Sequence, residues 1–187
     1  EKSYFIQLCQ EFPDVFTWSY EDLRGFNPKL AQHTIELDLD AKSIRQKKRL
    51  VNPHIEPLMK KEINKLIEAS IIFPIKHSSW VANLVPVRKK SREIRLCVEF
   101  QDLNRASLKD HYPLPSMEQI FQVVSGLERF SLLDGYSGYN QVMVKEDDQF
   151  KTTFTTKWGT YAYKKMLFGL SNDGATFQRE KDMALKG

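Results

Sequence analysis

At 187 residues with a formal net charge of +4, the chain is long enough for one domain, or one domain with an appendage, and is mildly basic. Hydrophobic residues make up 41% of it and aromatic residues 12%, which is enough to build a packed core and excludes wholesale disorder. The two cysteines are far apart, the four histidines occur singly, and no apolar run approaches the ~18 residues of a membrane span, so we expect a reduced intracellular protein without structural zinc or a histidine metal cluster.

The first quarter of the chain gives weak structural signals until a helix begins. Residues 1–44 are turn-rich and weakly periodic, and we interpret them as a connector or peripheral segment. After a basic run at 45–49, Asn52 is a candidate N-cap and Pro53 suits a first helical position. Apolar residues then recur at helical spacing, which predicts an amphipathic helix over residues 53–69.

Two strands joined by a basic turn predict a β-hairpin in the next segment. Residues 83–87 are apolar, and residues 94–100 alternate, with Arg95 and Glu99 on the polar face. A cationic turn of this kind is ordinarily a solvated hairpin tip. Arg95 differs because an arginine held on a strand can offer a rigid bidentate fork to a phosphate, with Lys89 as a second cation.

The remaining elements follow from capping and turn signals. Ser116 with Gln119 three residues later forms a capping box for a helix that Gly126 ends. Residues 152–163 predict a second β-hairpin, and a final helix runs from about 174 to 186. Strands and helices alternate irregularly and hairpins are frequent, so the predicted fold class is α+β rather than doubly wound.

One carboxylate stands out as a candidate for chemistry. Residues 130–134 form an apolar run that delivers Asp134 to a glycine-flanked turn, and an acid at the end of a buried strand suits a metal-binding or catalytic group. An aspartate that only caps the turn with Gly135 is an equally good reading of the spacing.

Asp147 and Asp148 are candidate partners, since two-metal catalysis needs carboxylates that hold ions ~3.5–4 Å apart. Their polar surroundings favour a surface helix or loop instead.

Taken together, several segments resemble the reverse transcriptase of gypsy-type LTR retrotransposons, especially plant ones. The resemblance runs in order along the chain through WVANLVPVRKK (80–90), IRLCVEFQDLN (94–104), KDHYPLP (109–115), FSLLDGYSGYNQ (130–141), KTTF (151–154) and FGLSNDGATFQ (168–178). Ordered matches of this length over 45–187 are highly specific. Residues 1–44 resemble the stretch that joins the protease to the reverse transcriptase in such polyproteins.

The resemblance implies a right-hand polymerase, with the fingers and the N-terminal part of the palm over residues 45–187. Asp134 would be the first catalytic, metal-binding carboxylate, and Tyr139 would be the steric gate that excludes a ribose 2′-hydroxyl. Lys89 and Arg95 would grip the nucleotide triphosphate.

Other matched positions would complete the nucleotide and template sites. Phe168 and Gly169 would line the nucleotide pocket. The template and primer would be contacted by Arg88, Lys90 and Gln178.

The resemblance also implies the reaction and the partners. A primer 3′-hydroxyl would attack the α-phosphate of a dNTP in line, with two Mg²⁺ ions as cofactors. The partners would be an RNA or DNA template with its primer, dNTPs, and the rest of a Pol polyprotein (protease, RNase H and integrase), with no membrane. An intact element would place the protein in a cytoplasmic virus-like particle.

Two departures from the family pattern limit these expectations. The Tyr-x-Asp-Asp hairpin that supplies the other metal carboxylates is absent, so we expect a piece truncated before that motif and inactive by itself. Asp173 and Glu180 would repel phosphates near the nucleotide and template. The alternative function is a non-catalytic retroelement remnant that binds nucleic acid through its basic fingers.

Overall fold

The computed structural model describes residues 2–17, 19–20, 22–23, 25–29, 31–88, 94–130, 132 and 135–185. The α-helices within these ranges are α1 (Lys2–Glu11), α2 (Glu56–Glu68), α3 (Gln101–Ala106), α4 (Met117–Val124), α5 (Glu146–Gln149) and α6 (Asp173–Leu185). The strands are β1 (Ile72–Pro74), β2 (Ala82–Arg88), β3 (Ile94–Val98), β4 (Phe154–Thr155) and β5 (Thr160–Tyr163). Short 3-10 turns occupy Pro13–Val15, Gly138–Gln141 and Phe150–Thr152. No helix within the described ranges is long and apolar enough to cross a membrane.

The five strands form one mixed sheet in the order β1-β5-β4-β2-β3. Only β2 and β4 run parallel, and the other neighbours are antiparallel. Both predicted hairpins are confirmed, with Leu84 opposite Val98 in the first and Phe154 opposite Tyr161 in the second. The tip of the first hairpin, residues 89–93, lies outside the described residues. This mixed sheet with separate helices confirms the predicted α+β class.

Helix α2 covers the sheet and closes the main core. It packs against β3 and β1 and buries Met59 and Ile63. The predicted helix is therefore confirmed, but its predicted start is wrong, because it begins at Glu56. The side-chain oxygen of Asn52 instead accepts the backbone N–H of His54 at 3.0 Å, which closes a separate turn before the helix.

Helix α4 follows its sequence signals locally but has no buried residue. Ser116 Oγ accepts the backbone N–H of Gln119, whose side-chain oxygen accepts the N–H of Ser116, so the predicted capping box is confirmed. Gly126, at φ +83°, lies just past the end of the helix in the left-handed region that favours glycine. Capping thus fixes where the helix begins, while nothing in the described fold covers its apolar side chains.

The prediction of a buried strand over 130–134 is wrong for the residues that the structure describes there. Phe130 is 60% exposed and Leu132 is 87% exposed, and neither belongs to a strand. A strand needs a neighbour for its backbone hydrogen bonds, and the five described strands pair only with one another. Asp134 itself lies outside the described residues.

Residues 31–46, which we call the N-terminal strap, are mostly exposed but bury two side chains and bond to several parts of the fold. The backbone of His33 bonds to that of Met143 and Lys145, at 2.8 and 2.9 Å. Further along, the strap bonds to the backbone of Ala106 and Val81. His33 and Ile35 are almost completely buried. Part of the segment that we interpreted as peripheral is therefore core, although a domain boundary at residue 44 stays a prediction.

The strap also changes the interpretation of Asp147 and Asp148. Asp148 is buried, its Oδ2 accepts the backbone N–H of Ile35 at 2.9 Å, and its Oδ1 pairs with Lys151 Nζ at 2.5 Å. Asp147 remains exposed. The predicted surface location is thus wrong for Asp148, because its burial depends on a strap residue 113 positions away in sequence.

Candidate nucleotide site

Tyr139 is held at one end of the 3-10 turn Gly138–Gln141 by close packing from α6. A Cβ atom on Gly138 would lie only 2.6 Å from the Phe177 ring, so this approach requires glycine. Beneath Tyr139 lies a small buried cluster of Val142, Val144 and Met166. Both valines are almost completely buried in this cluster.

Tyr139 stacks with an aromatic ring from a distant part of the chain. Its ring centroid lies 4.1 Å from that of Phe168 at an interplanar angle of 30°, and 5.0 Å from that of Phe177 at 64°. Phe168 is 69% exposed, so part of its ring faces solvent beside Tyr139. An exposed aromatic surface of this kind can stack on a base or a sugar.

Gly169, directly after Phe168, is bonded on both sides of its backbone. Its N–H donates to Asp173 Oδ2 at 2.9 Å, and its carbonyl accepts Asn104 Nδ2 at 2.7 Å. Its φ of +103° lies in the left-handed region, which is the physical reason for glycine here. The turn that carries Phe168 is therefore fixed from α3 on one side and from α6 on the other.

The surroundings of Tyr139 favour the protonated phenol, which is already the form of an ordinary tyrosine at neutral pH. Burial raises the pKa of Tyr139, and the nearby charge of Asp173 raises it further. Burial also raises the pKa of Asp173, while hydrogen bonds from the N–H groups of Gly169 and Gly174 oppose that shift. Tyr139 can thus act as a hydrogen-bond donor beside a carboxylate that already accepts two backbone bonds.

The structure brings together Tyr139, Phe168 and Gly169 among the predicted site residues. Arg95 is exposed on β3 opposite Val87, and Arg88 is exposed at the end of β2. Gln178 faces its own helix, where its Nε2 donates to the carboxylate of Asp182 at 2.9 Å. The other predicted site residues, Asp134, Lys89 and Lys90, lie outside the described residues.

A polar network that the sequence analysis missed anchors α6 to the loop after α3. Arg179 pairs with Asp110 at 2.6 Å and lies over the Tyr112 ring at 4.6 Å. The Tyr112 hydroxyl donates to Asp182 Oδ2 at 2.5 Å. The hydrogen bond from Arg179 lowers the pKa of Asp110. The only available signal was that Arg179 and Asp182 are three positions apart and share a helix face.

Two ionisable groups are buried on the inner side of α6. His33 Nδ1 lies 2.9 Å from Thr176 Oγ1, and burial lowers the pKa of His33 to about 4, against the opposing influence of Asp148. Glu180 is only 2% exposed, and its Oε1 has no hydrogen-bond partner in the described part of the chain. Burial raises the pKa of Glu180. The Glu180 carboxyl group, which we expected near the template, therefore lies in the interior.

No group of three or more His, Cys, Asp or Glu side chains in the described ranges could hold a metal ion. Asp134 lies outside those ranges, so this result does not describe the groups around Asp134. The described residues do not by themselves fit a two-ion site.

The chain is similar to known proteins in both sequence and fold. No protein-family model matches the chain. It is 28% identical over 192 residues to the Retrovirus-related Pol polyprotein from transposon 412 of Drosophila melanogaster, covering 100% of this chain and 15% of the relative. It is 31% identical over 142 residues to the corresponding polyprotein from transposon gypsy of the same species, covering 71% of this chain and 13% of the relative. An RNA-directed DNA polymerase homolog of Oenothera berteroana is 36% identical over 84 residues, 45% of this chain and 59% of that protein.

Solved structures agree with these relatives on the fold. The prototype foamy virus protease–reverse transcriptase superposes with a TM-score of 0.85 at 19% identity, covering 99% of this chain and 24% of that one. The foamy viral enzyme in complex with an RNA/DNA hybrid gives a TM-score of 0.74 at 18% identity, over 96% of this chain and 24% of that one. The chain spans only 10–15% of the transposon polyproteins that it matches. Its homologues are retrotransposon Pol polyproteins and reverse-transcriptase-like proteins, and its fold is that of a retroviral reverse transcriptase.

Proposed function

We propose that the chain supplies the fingers and the N-terminal part of the palm, residues 45–187, of an RNA-directed DNA polymerase. The observation that carries this proposal is the stacked pair of Tyr139 and Phe168 beside the Gly169 turn. Tyr139 lies 29 positions before Phe168 in sequence, Gly169 directly follows Phe168, and the resemblance assigns all three to the nucleotide site. Their contact is what a shared binding surface requires.

The roles of the individual residues follow from their chemistry. The protonated Tyr139 ring would lie under the sugar of the incoming dNTP and exclude a 2′-hydroxyl, with Phe168 closing the pocket beside it. Arg95, exposed on a strand, would bind the triphosphate together with Lys89. The template and primer backbone would be contacted by Arg88, Lys90 and Gln178.

The proposal includes a requirement for metal ions, which applies to a longer polypeptide that contains this chain. Asp134 would be one Mg²⁺ ligand, and the described residues offer no set that completes a two-ion site. Two Mg²⁺ ions, where bound, would activate the primer hydroxyl and neutralise the leaving pyrophosphate. The rest of a Pol polyprotein would supply the remaining ligands, so we expect no polymerase activity from these 187 residues alone.

Nucleic acid is the partner that the comparisons support best. A structural neighbour is a foamy viral enzyme solved with an RNA/DNA hybrid, and this chain carries a net charge of +4. We expect the chain to bind a primer–template hybrid mainly through phosphate contacts, without sequence preference.

Fluorescence anisotropy with a labelled RNA/DNA hybrid at several salt concentrations tests this proposal. We expect affinity to fall steeply with salt, and Arg95→Ala to weaken binding and reduce the salt slope by about 1 if one phosphate contact is lost. Arg105→Ala is the matched control, since Arg105 is an exposed arginine on α3 with only a 3.7 Å contact to Asp102. Binding that ignores salt, or equal effects of the two substitutions, would contradict the proposed interface.

A primer-extension assay separates the catalytic proposal from the remnant alternative. Template-dependent extension by the 187-residue chain would overturn the expectation that it is inactive alone. In a longer polypeptide that includes the missing carboxylates, Asp134→Asn should abolish extension and leave hybrid binding unchanged. A longer polypeptide that binds the hybrid but never extends a primer would favour the non-catalytic remnant.

A further inference from the structure

We propose that Asp173 is a positioning residue that fixes the Phe168 ring against Tyr139 and thereby sets how strictly the site selects the sugar of a nucleotide. The second part rests on the proposed function, whereas the first rests only on geometry. From the sequence alone, Asp173 is only a negative charge that would repel phosphates near the nucleotide and template. Its contacts in the structure give it a different role.

The geometry centres on the backbone of Gly169. Asp173 Oδ2 accepts its N–H at 2.9 Å, and Asn104 Nδ2 donates to its carbonyl at 2.7 Å. The peptide groups on both sides of Gly169 are therefore hydrogen-bonded, with φ at +103° between them. Because the first of these peptide groups joins Phe168 to Gly169, the bond to Asp173 constrains the backbone from which the Phe168 side chain leaves.

Asp173 connects this turn to a well-anchored helix. It is the first residue of α6, and its other carboxylate oxygen accepts the N–H of Gly174. Helix α6 is itself held by the Arg179–Asp110 ion pair. No lysine or arginine in the described part of the chain pairs with Asp173, so its known hydrogen-bond donors are backbone N–H groups. The carboxylate thus transfers the rigidity of α6 to the turn that carries Phe168.

Phe168 needs this constraint because little else holds it. It is 69% exposed, and its closest ring partner is Tyr139, at 4.1 Å. An exposed aromatic ring on an unconstrained turn exchanges rotamers freely on the nanosecond scale. Removing the Asp173 carboxylate would therefore release the ring and open one face of Tyr139. The space available beside the sugar would then vary, and a 2′-hydroxyl would be excluded less strictly.

Nuclear magnetic resonance on the 187-residue chain tests the positioning directly. In the wild type we expect nuclear Overhauser contacts between the rings of Phe168 and Tyr139, and we expect Asp173→Ala to lose them. Asp173→Asn, which keeps one acceptor oxygen, should retain them in part. Asp147→Asn is the matched control, because Asp147 is an exposed aspartate in the first turn of α5, away from this turn.

Two further readouts report on the charge of Asp173 and on the integrity of α6. The Tyr139 phenol should titrate at lower pH in both Asp173 variants, because the neighbouring negative charge that raises the pKa of Tyr139 is gone. The contact between His33 and Thr176 on the inner side of α6 should persist in these variants. If the Phe168–Tyr139 contacts are the same in wild type and Asp173→Ala, the positioning role is overturned, whatever happens to the Tyr139 titration.

The functional consequence is measured separately with dCTP and CTP, which share one base and differ only at the 2′ position, in the presence of MgCl₂, by shifts of the Tyr139 ring resonances. We expect the wild type to bind dCTP more tightly than CTP, and the ratio of the two affinities to fall towards one in Asp173→Ala. If the wild type binds neither nucleotide, the proposed function fails for this chain, while the ring contacts still decide the positioning role. A ratio that is unchanged in a variant with a released Phe168 ring would overturn the link to sugar selection.

Discussion

The N-terminal strap (31–46) and the apolar segment (114–132) show opposite relations between sequence and burial. The strap is polar and turn-rich, yet it contributes His33 and Ile35 to the interior and bonds to the backbone near residues 81, 106 and 143. The apolar segment contains a well-capped helix and a run of large apolar residues, yet α4 has no buried residue. Burial in this protein therefore follows from which segments find partners rather than from local hydrophobicity.

The difference in burial between the two segments arises from the backbone as much as from the side chains. The strap lies beside segments with unpaired N–H and carbonyl groups around residues 81, 106 and 143, and it satisfies them. The apolar segment has no such neighbour among the described strands, which already pair with one another. Its exposed apolar side chains remain available to another surface or to a second copy.

The largest expected effect comes from removing the strap. A chain that begins at residue 47 loses the burial of His33 and Ile35 and the strap's backbone bonds, which we expect to cost about 5 kcal/mol or more, as much as the whole stability of a typical domain. Thermal unfolding followed by circular dichroism should then show no cooperative transition. Deleting residues 2–16 is the control, because α1 contains no buried residue and its loss should have a small effect. A cooperative transition at an unchanged midpoint in the shorter chain would show that the strap is dispensable.

The adjacent aspartates test the strap at a single contact. Asp148→Ala removes the acceptor for the Ile35 N–H and leaves Lys151 without its carboxylate partner, so we expect a loss of about 3–5 kcal/mol in the free energy of unfolding. Asp147→Ala, one residue away and exposed, should change it by less than about 0.5 kcal/mol. Urea denaturation measures both values. Equal losses for the two variants would mean that the strap is not held through Asp148.

The buried histidine of the strap predicts a dependence of stability on pH. The pKa of His33 is about 4 in the folded chain and 6.5 as its ordinary value, so the unfolded state binds more protons between these values. Stability should be fully present above pH 6.5 and should fall by about 3 kcal/mol as the pH drops towards 4. Unfolding in urea at a series of pH values should show a flatter profile for His33→Gln than for the wild type.

The exposed His54 supplies the control for that measurement, since His54→Gln should leave the profile unchanged. Glu180 contributes an opposite slope, because burial raises its pKa, and it is present in all three chains. A His33→Gln profile as steep as that of the wild type would contradict the burial of a neutral His33.

The smallest expected effect on stability lies in the apolar segment. Phe121→Ser should change the free energy of unfolding by less than about 0.5 kcal/mol, because this side chain is exposed on α4. The same substitution should reduce self-association in sedimentation experiments by removing exposed apolar surface. Ile63→Ala on α2 is the buried comparison and should cost about 2–5 kcal/mol. A large loss of stability from Phe121→Ser would show that another part of the chain covers α4.

Elements defined by local signals were predictable. Alternation placed the first hairpin and turn signals placed the second, the Ser116–Gln119 capping box placed α4, and a helix close to residues 174–186 appears as Asp173–Leu185. The predicted start of α2 was wrong because Asn52 can cap a turn as well as a helix. The prediction of a buried strand at 130–134 was wrong because an apolar run does not reveal whether a neighbouring strand exists.

The candidate site was predictable only in part. The resemblance selected Tyr139, Phe168 and Gly169, and the structure places them in one cluster. Asn104 was missed and Asp173 was assigned only a repulsive charge, because their role depends on the backbone of Gly169. That contact joins residues 65 positions apart in the case of Asn104.

By itself, the sequence determined the α+β class, the positions of the hairpins and of the capped helix α4, and the resemblance to a reverse transcriptase. These depend on periodicity, turn chemistry and ordered motifs, which are properties of neighbouring residues. Only the tertiary structure decided that the strap is core, that Asp148 and Glu180 are buried, and that Asp173 bonds to the turn of Phe168. Those facts depend on which backbone and polar groups meet after the chain has folded, and short-range patterns do not carry that information.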